Sequence, residues 1–282
     1  MAITNFIPTI WSENLLTALD KKYIAVSHCN REYEGEIKNR GSVVKICGVG
    51  AIDVADYTKD TDMSTPQPLT DTVVELTIDQ AKYFNFQIDD VDRTQCTPKI
   101  MDAAMSLAAS AIANEADKYV FSLAKEAGTV ITANITSYSL FDLLVKARQK
   151  LYENDVTDGE EVVLEVSPSI ATAILNLKLD TLFYDNNHIV DTGYLGSILG
   201  CKIYVSNNIL KEYNRDFNTD TNYCMMRTKR AIAFAEQFSE IDAYRPEKRF
   251  ADAVKGLHLY GAKVLYPSEI VTLALDVPCP QD

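Results

Sequence analysis

The sequence lacks a basic excess. Against 27 Lys and Arg stand 40 Asp and Glu, a formal net charge of −13. That balance argues against a dedicated nucleic-acid binder, which carries surplus positive charge. No segment approaches the ~20 apolar residues of a membrane span, so no membrane role is expected. Met1 to Ile10 has neither a basic stretch nor a long apolar run, and no signal peptide is expected. None of the six cysteines (Cys29, Cys47, Cys96, Cys201, Cys224, Cys279) forms a C-x-x-C pair. Their scatter reads as free thiols made in a reducing cytosol, not as a disulfide framework.

Catalytic signatures are absent too. The three histidines, His28, His188 and His258, show neither H-x-x-x-H nor H-E-x-x-H spacing. His28 and Cys29 are neighbours, but neighbours on a strand point to opposite faces, and no second ligand pair accompanies them. Asp89, Asp90 and Asp92 form the densest acidic cluster, with oxygen ligands suited to Ca²⁺ or Mg²⁺. It lacks the glycine and distal glutamate of an EF-hand loop and reads as the end of a strand. Gly193, Gly196 and Gly200 match neither the dinucleotide fingerprint nor the P-loop, and read as a turn into a strand at Cys201. There is no G-x-S-x-G elbow. No catalytic residue, cofactor or metal is expected.

What is present is ordinary globular text, 47% hydrophobic over 282 residues, enough for a core without staples. Residues 1–39 read as an arm with one helix, capped by Ser12 and striped by Leu15, Leu16, Leu19, Tyr23 and Val26. From 42 to 92 the period becomes two. Val44 and Ile46, then Val74, Leu76 and Ile78, then Phe84, Phe86 and Ile88 alternate with polar or opposite-facing neighbours. Between the first two sets runs an acidic excursion, Asp53 to Leu69, too long for a plain turn.

Residues 97–128 predict one long helix. Thr97 is a suitable N-cap, Pro98 suits the first helical position and Gly128 a C-terminal stop. Met101, Met105, Ala108, Ile112, Ala116, Tyr119, Leu123 and Ala127 recur at helical spacing. Such a helix would be about 45 Å long, a strut across a molecule. Leu140–Leu151 is an amphipathic helix. Val162–Val166 is a buried strand, and a helix starts at Ser167-Pro168 and runs to about Leu179. Cys201–Val205 is a strand before a Ser206-Asn207-Asn208 turn. Ala231–Phe234, Ile241–Tyr244 and Gly256–Leu265 are strand-like. The fold class is α+β.

The order of these elements resembles the major capsid proteins of tailed bacteriophages, the Hong Kong 97 type of fold. The run from Thr192 to Asn208, TGYLGSILGCKIYVSNN, looks like that family's glycine-spaced loop, strand and S-N-N turn. The run from Phe250 to Pro267, FADAVKGLHLYGAKVLYP, looks like its late strand pair, and Phe6–Ser12 is similar to its openings. The resemblance covers nearly the whole chain. It implies an N-terminal arm (1–39), an extended E-loop (40–92), a peripheral P-domain (93–137 and 230–265, spine helix 97–127) and an axial A-domain (138–229 and 266–282).

It further implies a shell subunit, not an enzyme. Copies of the chain would form hexamers and pentamers around packaged double-stranded DNA that they contact non-specifically. An arm of 1–39 is too short for a large scaffolding segment, so a separate scaffolding protein and a portal are the expected partners. Lysine–asparagine crosslinking is not carried over, because Lys59 has no specific asparagine partner. In this family the E-loop lies over a neighbour's P-domain. Here Asp53, Asp56, Asp60 and Asp62, with Lys59 alone against them, face a basic segment of Arg245, Lys248 and Arg249. These are the candidate inter-subunit contacts. Two other readings remain: an encapsulin nanocompartment of the same fold, and a cytosolic metal-dependent enzyme using Asp89, Asp90 and Asp92.

Overall fold

Strand alternation and one dominant helix carry over into the computed structural model. It describes residues 22–33, 42–49, 71–89, 100–135, 140–156, 161–177, 193–215, 218–248 and 250–278, and single positions between 54 and 68. The elements run β1 (Val43–Val49), β2 (Asp71–Thr77), β3 (Gln80–Asp89), α1 (Ile100–Ser122), β4 (Thr129–Asn134), α2 (Leu140–Glu153), β5 (Val162–Val166) and α3 (Pro168–Asn176). Then come β6 (Tyr194–Ile198), β7 (Cys201–Val205), β8 (Lys211–Asn214), β9 (Thr219–Thr228), β10 (Ile232–Tyr244), β11 (Ala251–Val264) and β12 (Ile270–Pro278). The expected features at Ser12, Leu15, Leu16 and Leu19, and the caps at Thr97 and Pro98, lie outside the described residues.

These strands make an antiparallel hairpin, β1–β2, and two sheets. The smaller sheet has the order β10-β11-β3; the larger has the order β4-β12-β9-β5-β7-β6, with β8 also on β9. α1 lies on the smaller sheet. Met105, Ala109, Ile112, Ala116 and Val120 pack in one core with Phe234, Val254 and Tyr260. The expected stripe is shifted here: Ala109, not Ala108, is fully buried. α1 is covered on two sides, by the sheet and by residues 22–33, so its apolar face is wider than a single row. α2 and α3 cover one face of the larger sheet through Leu144, Ala147, Leu151, Ile170 and Ile174.

The helix does not run on evenly to Gly128. It tightens to a 3-10 turn over Leu123–Glu126. Thr272 on β12 donates its hydroxyl to the Ala124 carbonyl at 2.7 Å, tying down one of the free carbonyls at the helix end. Gly128 N–H then donates to the Pro267 carbonyl at 2.8 Å. A Cβ at 128 would stand 2.6 Å from that oxygen, so only glycine permits the approach. β4, grouped in sequence with the long helix, pairs in parallel with β12 and so belongs to the larger sheet.

Two strand expectations merge. Ala231–Phe234 and Ile241–Tyr244 are parts of one strand, β10, with a register shift between Phe238 and Glu240. The glycine-spaced run is the β6–β7 hairpin, turning through Leu199 and Gly200, both at positive φ. That is the backbone twist a two-residue hairpin turn favours.

Candidate inter-subunit surfaces

Pro246 cannot donate to a strand ladder, and β10 stops before it. The turn that follows carries Arg245, Glu247 and Lys248, all exposed, and Phe250, 82% exposed. Arg249 lies outside the described residues. The sheet behind the turn is braced on its outer face. Lys255 sits 5.5 Å over the Tyr244 ring and 3.4 Å from Asp242. The Tyr244 hydroxyl donates to Asn85 on β3 at 3.1 Å. A basic and aromatic tip thus projects from a stiff end of the smaller sheet.

The acidic excursion leaves the far end of the β1–β2 hairpin, after Val49 and before Asp71. Among its described residues Val54, Asp56, Lys59 and Asp62 are all exposed, Val54 at 95%. Asp53 and Asp60 lie outside the described residues. The base of the hairpin is fixed against β11. The Thr77 carbonyl oxygen approaches Gly261 to 2.3 Å of where a Cβ would stand. Val44, Leu76 and Ile78 bury there against Ala233, Ala235 and Leu259. From Gly261 to the basic turn at Ala251 is roughly 33 Å along β11 at 3.3 Å per residue. The hairpin base and the basic tip therefore sit at opposite ends of the smaller sheet.

A third feature is buried. Residues 22–33 hold one short 3-10 turn, Val26–His28, and are otherwise irregular. Charged side chains of four elements hold them. Asp117 on α1 accepts the N–H groups of Ile24 and Val26, each at 3.1 Å. Arg227 on β9 donates to the carbonyls of Ala25 (2.9 Å) and His28 (2.6 Å), and grips Glu165 on β5 through two bonds of 3.0 and 2.9 Å. Glu236 on β10 accepts from the Tyr23 hydroxyl and from Arg31, and lies 2.8 Å from His258 Nε2.

No protein-family model and no curated protein matches the chain. Solved structures do. A chain from Mycobacterium phage Che8 is 28% identical and superposes with a TM-score of 0.67, over 89% of this chain and 90% of that one. The capsid structure of the Cyanophage P-SCSP1u matches at 16% identity and a TM-score of 0.64, over 89% and 87% of the two chains. A virus-like particle from Pyrococcus furiosus matches at 11% identity and 0.56, over 95% and 99%. The chain has the tailed-phage capsid fold.

In this capsid fold the Asp89, Asp90 and Asp92 cluster remains partly out of view. Asp89 ends β3 opposite Ala251, and Asp90 and Asp92 lie outside the described residues. Among the described residues no three His, Cys, Asp or Glu side chains are placed to hold a metal ion. Nor is any described helix long and apolar enough to cross a membrane.

The charged clasp on residues 22–33 escaped sequence reading. Its only signal is one acid inside the apolar run Val162–Val166 and one cation ending the run Cys224–Met226. Its pH response follows from the environments. Burial pushes the Asp117 carboxyl up to about 7, against the opposing pull of the Ile24 and Val26 N–H groups. Folded Asp117 thus holds a proton more tightly than the unfolded chain, whose value is ~3.9. Its contribution to stability is full below that value and is lost as pH rises to about 7. Glu165 and Glu236 have the opposite sign. Burial opposes their charge, but Arg227 at Glu165 and His258 at Glu236 hold both carboxyls below the usual range. Their contribution is present above ~4.5 and lost as pH falls. Urea unfolding of the unassembled subunit should show stability falling from pH 5 to 7.5. In Asp117→Asn that fall should shrink, by up to ~2–3 kcal/mol over this window. Equal pH slopes in the two proteins would refute the assignment.

Proposed function

We propose that this chain is a structural subunit that self-assembles into the icosahedral capsid shell enclosing a viral double-stranded DNA genome. The observation that carries this reading is the match to a phage chain at 28% identity over about nine-tenths of both chains. The element order agrees with it: a hairpin whose base packs on a small sheet, a long helix across that sheet, and a larger sheet beyond. In this reading 1–39 is the arm and 40–92 the E-loop. Residues 93–137 and 230–265 form the P-domain, and 138–229 and 266–282 the A-domain, whose sheet β4 of the first stretch also joins. Copies associate as hexamers and pentamers, with a separate scaffolding protein and a portal, and touch packaged DNA non-specifically. The subunit is not an enzyme and is made in the host cytoplasm. Electron microscopy of the purified protein should show closed shells or capsomer rings. A monodisperse small oligomer would count strongly against the proposal. Shells that enclose a co-purified enzyme in place of DNA would point to an encapsulin.

The charged surfaces supply the proposed joint. The acidic loop with Asp53, Asp56, Asp60 and Asp62 docks on the basic segment with Arg245, Lys248 and Arg249 of an adjacent subunit. Support comes from the exposure of Asp56, Asp62, Arg245 and Lys248, and from the separation of hairpin base and basic tip within one subunit. Single exposed ion pairs contribute only ~0–1 kcal/mol, so their main effect is orientation and encounter rate. Repetition around a closed shell multiplies even that term. Arg245→Glu with Arg249→Glu should leave a folded subunit that assembles poorly. Adding Asp56→Lys and Asp60→Lys should restore part of the assembly, most visibly at low salt, since the Debye length is ~8 Å at physiological ionic strength. Normal assembly of the first variant at every salt concentration would sink this joint and leave the shell reading intact.

A further inference from the structure

Among the described residues the two sheets are joined by three chain crossings that touch one another. α1 passes into β4 at Ala127 and Gly128, β9 into β10 at Lys229–Ala231, and β11 into β12 at Leu265–Glu269. Gly128 N–H donates to the Pro267 carbonyl, and the Leu265 and Tyr266 N–H groups both donate to the Ala231 carbonyl, at 2.8 and 3.2 Å. The Glu269 carboxylate, almost buried, accepts from Thr228 and Arg230 across the same place. These crossings form a waist, beside which Met225 and Ile270 of the larger sheet share the core of α1 with Phe234 and Val264 of the smaller. Short crossings with few residues between two packed units are where hinge motion is absorbed.

Residues 22–33 span that waist without belonging to either sheet. Arg227 and Glu165 tie them to the larger sheet. On the other side Asn30 bridges Ala233 in parallel, donating to the Ile232 carbonyl at 2.8 Å and accepting from Phe234 N–H at 2.9 Å. Glu236 holds Tyr23 and Arg31 to the smaller sheet. Asp117 ties the middle of the segment to α1, and Lys22 Nζ reaches Ser106 Oγ on the same helix at 2.9 Å. Ties to both sheets and to the helix thus converge on one irregular segment, which has no internal ladder to keep it in place.

We propose that residues 22–33 are a latch across the waist, which when seated sets the angle between the two sheets. Given the shell reading above, on which this second half rests, the latched angle sets the curvature of the shell. The segment is suited to the task because its ties are individually removable. Lys22 is on the surface, and Arg31 is a third exposed. Removing Arg31 leaves Glu236 with Tyr23 and His258.

The test uses the full chain with Lys22→Ala and Arg31→Ala together. A second variant, Asn30→Pro, deletes the N–H that reaches Ile232. Hydrogen exchange is followed on the unassembled subunit, and shell diameters are measured by electron microscopy. Amides of residues 22–33, and with them Leu265 and Tyr266 at the waist, should exchange ~10-fold faster in both variants. The shells should show a broader spread of diameters than the unaltered protein. Faster exchange in 22–33 with no change at Leu265 and Tyr266 would overturn the latch, and so would no change anywhere. A loosened waist with shells of unaltered diameter and spread would overturn the curvature half alone. If the unaltered chain builds no shells while the waist loosens as stated, it is the shell reading that fails, and the latch stands.

Discussion

Arg227→Met is expected to destabilise the subunit by ~3–5 kcal/mol, the cost of removing one partner from a buried ion pair. Both Arg227 and Glu165 are fully buried. The guanidinium makes two bonds to the carboxylate and two more to the Ala25 and His28 carbonyls, so four contacts disappear at once. What remains beside Glu165 is His28 Nδ1 at 3.5 Å, too weak a contact to replace a bidentate cation. The His28 carbonyl loses its cation as well, while the Ala25 carbonyl keeps the His28 N–H at 3.1 Å, and a buried acceptor that loses its donor carries its own penalty. A domain stable by ~5–15 kcal/mol has little margin for such a loss. Glu165 should respond by taking up a proton, since Arg227 is the chief influence holding its carboxyl down against burial. Arg227→Met with Glu165→Leu should therefore recover much of the stability, because a matched apolar pair carries no desolvation cost. It should not recover the protection of residues 22–33, whose two bonds from the guanidinium stay lost. Urea unfolding and hydrogen exchange read the two effects separately. A loss below ~1 kcal/mol for the single variant would show that the pair is not uncompensated when broken.

The parts of this fold legible in sequence are those with a local period. Alternation at Phe84, Phe86 and Ile88 marks a strand with one face on the α1 core, and the structure half-buries these three while exposing Asn85, Gln87 and Asp89. The long helix was legible because nothing interrupts it for 23 residues. β9 and β12 were missed for the opposite reason. Both lie inside the larger sheet, and from Ile270 to Leu275 every residue is buried, so no alternation survives. β10 was read as two pieces because polar Glu236, Gln237, Ser239 and Glu240 surround its bulge. Of the candidate contacts, exposure at Asp56, Asp62, Arg245 and Lys248 follows from charge alone. The clasp on residues 22–33 could not be read, since Asp117 lies 91 positions from Val26 and Glu236 lies 213 from Tyr23. Separations of that kind are fixed by topology, not by neighbouring residues.

Ala108→Pro is expected to give insoluble or unassembled protein. Residue 108 sits inside α1, more than two turns from either end. Proline there removes the N–H that would bond to residue 104, and its ring clashes with that carbonyl, at ~3 kcal/mol or more. Ala108 is only partly buried, so the loss comes from the backbone and not from packing. The larger damage is geometric. Met105 on one side of the break, and Ala109, Asp117 and Val120 on the other, must together meet the smaller sheet and residues 22–33. A kink at 108 lets one half seat and lifts the other, exposing apolar surface that favours aggregation. Ala108→Gly separates the two causes. It keeps the N–H, should cost only ~0.5–1 kcal/mol and should assemble normally. Solubility, helix content by circular dichroism and particle yield distinguish the pair. Well-formed particles from the proline variant would mean that α1 need not be continuous, and the reading of it as a strut across the subunit would fall.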